Sequence, residues 1–230
     1  MGSFTKFDED TLFLLAENQF NDSKSYYESV KDTLKNKATV PMRQICADLS
    51  DRLFEIDSQM NLIPTKMVSR IRRDTRFSKN KNLYRSNMWA MFMRDKNKWR
   101  YKPCMWFEMM PGGYDIGVGL YNCEPAVMEL YRQNILKNPK EFRKAVQSAL
   151  AAGAVPDCEL YKKPKPGNVP DDLKLYYNAK YIYFIKHTGE LRPLFDGTVM
   201  QELEQTVDAF APMYHFLLKV TDQMTAGKGR

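Results

Sequence analysis

From Phe7 to Asp57 the apolar positions recur at intervals of three and four: Leu12 and Leu15 with Gln19, then Ile45, Leu49, Leu53 and Ile56. That period lines one face of a helix, so two or three helices are predicted over about residues 7–57. Asp22, ahead of SKSYYESVKDTLKN, is placed as an N-cap, where its carboxylate would accept free N–H groups. Pro41 is placed in a first helical turn, where its missing N–H costs nothing.

After Pro64 the period shortens. MVSRIRR, SNMWAMFMR, CMWFEMM and YDIGVGLYN are short, aromatic or β-branched, and separated by charged or turn-like pieces. They predict strands of a sheet over about residues 66–122, with Pro-Gly-Gly in MMPGGYD as a hairpin turn. Helical spacing returns in EPAVMELYRQNIL and NPKEFRKAVQSALAAG, which predict helices over about 124–152. The proline-rich YKKPKPGNVPDD reads as an extended surface loop, and YIYFIKH as a further strand over about 178–187.

A terminal helix over about 197–224 carries Val199, Leu203, Val207 and Phe210 on its stripe, then Phe216, Leu217 and Val220. Pro212 is expected to interrupt it and kink it near Asp208. The predicted class is α+β: a mainly antiparallel sheet of about five strands flanked by N-terminal, middle and C-terminal helices. With no repeat and no long linker, residues 1–230 are expected to form a single compact domain.

Composition supports a folded chain, since 43% of residues are hydrophobic and thirteen Phe, thirteen Tyr and three Trp are too many for a disordered one. The four cysteines are 58, 19 and 35 residues apart, which gives no chelating loop and points to buried thiols in a reducing compartment. No basic leader precedes an apolar core, and no eighteen apolar residues run together. A cytoplasmic protein without a membrane partner is therefore expected.

Charge changes the picture more. Lys66 to Lys102 holds thirteen Lys and Arg against Asp74 and Asp95, an excess of eleven in a chain of net charge +7, so the remainder sums to −4. Within it RIRRDTRFSKNKNLYR, Arg70 to Arg85, has seven basic side chains and one acid. A regional excess of this kind is an electrostatic footprint for an anion: a phosphate-bearing ligand, nucleic acid or an acidic protein partner.

Recognised chemistry is otherwise absent from the chain. With only His187 and His215, and neither HExxH nor paired CxxC, no metal or cofactor is expected. His187 closes an apolar strand run and His215 lies among Tyr214, Phe216 and Leu217, so both read as packed or rim histidines. GGYDIGVG has Val118 and Gly119 where a phosphate loop needs Lys and Ser or Thr, and there is no GxSxG nucleophile turn.

The run RDTRFSKNKNLYR resembles the signature of the family catalogued as domain of unknown function 2461. Arg73, Asp74, Arg76, Phe77, Ser78, Lys79, Lys81 and Tyr84 match its pattern, while Asn80, Leu83 and Arg85 stand where that pattern has Asp, Pro and Lys. NQFNDSKSYYESVK, VGLYNCEPAVMELYRQNI and YKKPKPGNVPDDLKLYYNAKYIY are similar to other segments of the family, so the resemblance covers nearly the whole chain. It implies a fold and a place to look, and no activity.

If Met67 to Phe77 is extended, Arg70, Arg72, Asp74 and Arg76 share one face and Ser69, Ile71, Arg73 and Thr75 the other. The candidate anion-binding set is Arg70, Arg73, Asp74, Arg76, Ser78, Lys79, Lys81 and Tyr84, with the rings of Tyr84 and Trp89 available for stacking. Two other readings stand beside it. Arg73, Asp74 and Arg76 form a structural clasp between the N-terminal helices and the sheet in a protein-interaction module, or Asp74 serves an enzyme as base.

Overall fold

The structure is a computed structural model that describes residues 3–76, 79–98, 100–120 and 123–226. Helices α1 (Thr11–Asn21) and α2 (Lys24–Leu34) meet at Asp22. Asp22 is not the N-cap of α2. Ser23 takes that place, its Oγ accepting the Tyr26 N–H at 3.2 Å, while Asp22 ends α1 with φ 42°. Asp adopts that left-handed conformation more readily than most side chains.

A π-turn, Lys35–Thr39, carries α2 into α3 (Val40–Asp48), which leads to α4 (Ser50–Ile56). Pro41 explains the turn. It has no N–H for the Lys37 carbonyl four residues back, and its ring would crowd that oxygen. The wider turn, with the Val40 N–H bonded to the Lys35 carbonyl, makes room, and Thr11 Oγ1 donates to the Lys37 carbonyl at 3.2 Å.

After the short α5 (Pro64–Met67) come β1 (Met88–Phe92), β2 (Cys104–Met110) and β3 (Gly113–Leu120). Then follow α6 (Pro125–Lys137), α7 (Pro139–Ala151), β4 (Val155–Asp157), α8 (Lys174–Tyr177), β5 (Ile182–Thr188), α9 (Arg192–Asp196) and α10 (Val199–Ala226). The antiparallel sheet has five strands in the order β1-β2-β3-β5-β4, so the fold is α+β. Its membership differs from expectation in two places. MVSRIRR makes only single bridges, Val68 with Ala90 and Arg72 with Tyr84, and is not a regular strand. The fifth strand is β4, whose three residues are too few to show a period, and whose Pro156 is tolerated because β4 is at an edge.

The chain forms two compact units. One comprises Met1–Phe92, Trp106–Asp115 and His187–Glu204, with Leu15, Leu34, Ile45, Leu49, Phe92 and Phe107 fully buried in its core. Burying each such side chain contributes about 1.5–3 kcal/mol. The other comprises Met93–Met105, Ile116–Lys186 and Gln205–Arg230 and is built on an aromatic cluster. In it Phe142 meets Tyr131, Tyr176 and Phe216 with ring centroids 5.8, 5.3 and 5.1 Å away.

Helix α10 continues through Pro212 for 28 residues, so proline does not interrupt it. Next to the proline turn Ser148 Oγ donates to the Ala209 carbonyl at 2.7 Å, a hydrogen bond from outside the helix. Among the described residues no helix is long and apolar enough to cross a membrane. All four cysteines are free, with Cys46 and Cys104 buried. Burial pushes both thiols up to about 12.

Candidate functional site

The basic segment has a strand's alternation without a strand's regularity. Ser69 and Ile71 are buried and Arg73 and Thr75 half-buried, whereas Arg70, Arg72, Asp74 and Arg76 are exposed. The backbone pairs with the following residues: Ser69 N–H to the Trp89 carbonyl at 2.8 Å, Arg73 N–H to Leu83 at 2.7 Å, and Arg85 N–H to Ile71 at 3.2 Å. Arg73 and Arg85 are thereby neighbours on the face opposite the exposed arginines.

Asp22 and Tyr27 tie this ribbon to the helices. Asp22 Oδ1 accepts the N–H groups of Leu83 and Tyr84 at 2.6 and 3.2 Å, and the Tyr27 ring stacks on Tyr84 at 4.8 Å. Tyr84 is 1% exposed, so it packs against α2 and offers no face to a ligand. Asp74 and Arg76 pair within one exposed turn, Arg76 Nε and Nη2 donating to the two Asp74 oxygens at 2.9 and 2.7 Å. That guanidinium, and then the Arg76 backbone N–H, hold the Asp74 carboxyl down to about 2. Lys81 Nζ donates to the Thr75 carbonyl at 3.0 Å, closing the same exposed loop, and Lys79 is also exposed. Ser78 lies outside the described residues.

Arg85 was not among the predicted residues, and it organises the inner face. Its Nη1 donates to the Arg70 and Arg72 carbonyls at 2.9 and 3.2 Å, and its guanidinium lies over the Trp89 ring at 4.6 Å. A lysine at this position cannot span two carbonyls and stack on an aromatic face together. Burial first, and then the Arg73 guanidinium, hold Arg85 below the usual arginine value, with Glu108 acting against them.

Beyond Arg85 a row of polar residues crosses the sheet. Asn87 Nδ2 donates to Glu108 Oε1. The two-residue connection Pro111–Gly112 between β2 and β3 sets Glu108 opposite Asp115, with both side chains on one face. His187 Nδ1 lies 2.7 Å from Asp115 Oδ1. A carboxylate only accepts, so the ring donates to it through Nδ1–H, and the side chain is 56% exposed.

The close approach of β3 to β5 depends on Gly113. A Cβ there would stand 2.3 Å from the Thr188 carbonyl oxygen, and its φ of 148° suits only glycine. Burial pushes the Glu108 carboxyl above its usual range. Asn87 and then Arg85 oppose that shift, and Asp115 adds to it.

Sequence reasoning therefore located the ribbon but not the row. The one signal available was alternation: Glu108 and Asp115 are acids interrupting apolar strands, and the hairpin turn between them makes them opposite. Among the described residues no three His, Cys, Asp or Glu side chains gather to hold a metal. The open depression along α10, lined by His215, Leu218, Lys219, Asp222 and Gln223, contains none of the predicted residues.

No curated protein matches the chain. A family model described as conserved hypothetical protein (DUF2461) matches residues 10–216, nearly the whole sequence and all of the basic ribbon. The chain belongs to that family.

Proposed function

We propose that the protein binds a phosphate-bearing ligand at Arg73 and Arg85, on the face of the ribbon opposite the exposed Arg70 and Arg72. One observation carries this reading: Arg73 and Arg85 lie diagonally on one face of the ribbon, near enough for the Arg73 charge to act on Arg85, which is itself partly desolvated. Adjacent like charges are unfavourable in the free protein, and a dianionic phosphate relieves that repulsion while accepting hydrogen bonds from both forks. Arg85 is already oriented by two carbonyls and Trp89, so little of its freedom is lost on binding.

Isothermal titration with inorganic phosphate, and with a single-stranded oligonucleotide in parallel, tests this. Arg73→Ala and Arg85→Ala should each weaken phosphate binding by about tenfold or more, in line with about 1.5–3 kcal/mol for a charged hydrogen-bonding partner. Lys137→Ala, a substitution in α6, should leave it unchanged. Equal phosphate affinity in wild type and both arginine variants would overturn the reading. Oligonucleotide binding that falls steeply with salt, without phosphate binding, would transfer the ribbon to nucleic acid.

A further inference from the structure

The two arginines of the anion site have an amide and a carboxyl for neighbours. Arg73 pairs with Leu83, just before Arg85, and Asn87 comes just after it, so the order along the ribbon is Arg73, Arg85, Asn87. Asn87 Nδ2 donates to Glu108 Oε1, and the charges of Glu108 and Arg85 act on one another. Arg85 Nη1 is taken by the Arg70 and Arg72 carbonyls, whereas its Nε and Nη2 have no hydrogen-bond partner among the described residues. The same holds for Glu108 Oε2 and Asn87 Oδ1.

A carboxyl beside a phosphate site weakens the binding of a bare phosphate, since like charges repel. It strengthens the binding of a ligand that brings a neutral donor to it. We propose that the ligand is a phosphorylated polyhydroxy compound, such as a sugar phosphate, its phosphate held by Arg73 and Arg85 and its hydroxyl groups by Asn87 and Glu108. This rests on the anion-binding reading and names the class of ligand for that site.

Number, kind and spacing of the groups suit this ligand. Nε and Nη2 of Arg85 are the pair of parallel donors that meets two oxygens of one phosphate. Glu108 Oε2 and Asn87 Oδ1 are acceptors, and a hydroxyl donates to either without bringing charge. An ammonium group in the same place would meet the Arg85 guanidinium and be repelled by it. Two residues of chain place the Arg85 and Asn87 backbones at most about 7 Å apart, a span that a five- or six-carbon sugar phosphate covers between its phosphate and its hydroxyl groups. The Trp89 ring beneath Arg85 fixes the guanidinium, so the two sets of contacts are held at one spacing. Asp115 and His187, on β3 and β5 beyond Glu108, take no part.

The test is isothermal titration of the full-length protein at neutral pH with inorganic phosphate, ethyl phosphate, ribose 5-phosphate and phosphoethanolamine. Ribose 5-phosphate should bind about tenfold or more tighter than ethyl phosphate, which has the same phosphate and no hydroxyl. Glu108→Gln should move two readings in opposite directions. Inorganic phosphate should bind about threefold tighter or more, because a like charge is gone, while the preference for ribose 5-phosphate over ethyl phosphate should fall to under about threefold. Asn87→Ala should lower that preference too, with inorganic phosphate within about threefold of wild type.

The comparison of ligands on the wild type depends on no variant, and melting curves confirm that the two variants fold. Equal affinity for ribose 5-phosphate and ethyl phosphate, in a wild type that binds inorganic phosphate, overturns the hydroxyl assignment and leaves the anion site standing. Binding of none of the four overturns both. A preference that survives both substitutions overturns the assignment to Asn87 and Glu108, and phosphoethanolamine binding tighter than ribose 5-phosphate overturns it in favour of an ammonium group.

Discussion

Replacing Asp22 separates the tie that holds the basic ribbon from the ribbon's own chemistry. In the structure Asp22 does two things at once: it occupies a left-handed conformation at φ 42°, and its Oδ1 accepts two backbone N–H groups, from Leu83 and Tyr84. Asp22→Gly removes the carboxylate but keeps the conformation without strain, so the loss reports the hydrogen bonds, about 1.5–3 kcal/mol for a charged acceptor. Asp22→Ala adds the cost of a Cβ in the left-handed region, about 1–2 kcal/mol more. Asp22→Asn keeps an oxygen in place and should cost under about 1 kcal/mol.

For a chain of this size each kcal/mol moves Tm by about 2–4 °C, so the glycine variant should melt roughly 3–12 °C early, with alanine lower and asparagine close to wild type. Calorimetric melting gives the order directly. Because the Leu83 carbonyl accepts the Arg73 N–H at 2.7 Å, loosening Leu83 should also weaken inorganic phosphate binding. A glycine variant that melts with the wild type and binds phosphate equally well would refute the claim that Asp22 holds the ribbon.

Two further outcomes are expected. The Tyr131 hydroxyl is fully buried with no hydrogen-bond partner among the described residues, so Tyr131→Phe should raise stability by about 1 kcal/mol in urea unfolding, and a loss would show that the hydroxyl is satisfied. Glu108 has a folded-state value raised above the ordinary 4.5, so its contribution to stability is complete below that value and is lost as pH rises through the raised one. Glu108→Gln should therefore gain on the wild type in urea midpoint as pH rises from about 4.5 toward neutrality. A gap between the two that does not change with pH would refute this.

Much of the molecule was legible from local pattern. The helical period over Leu12 to Ile56, the hairpin in MMPGGYD and the strand YIYFIKH all reappear as elements, because each depends on neighbours within a few residues. The alternation of Arg70, Arg72, Asp74 and Arg76 against Ser69, Ile71, Arg73 and Thr75 is present too. Elements set by distant partners were not legible. Asp22 looks like an N-cap, and only the Leu83 and Tyr84 N–H groups, some sixty residues away, show what its carboxylate accepts. Pro212 looks like a helix end, yet packing carries α10 past it.

The site divides in the same way. The amino-acid sequence by itself determined that positive charge gathers between Lys66 and Lys102, that the ribbon alternates, and that the chain resembles its family, since charge and side-chain period are properties of residue order. Only the tertiary structure decided that Tyr84 is packed inside, that Arg85 is aimed by two carbonyls, and that Asp115 meets His187 from 72 residues away. The reason is physical: a charge exists wherever its residue is placed, but its reactivity depends on burial and on the groups opposite it, and strand pairing supplies both.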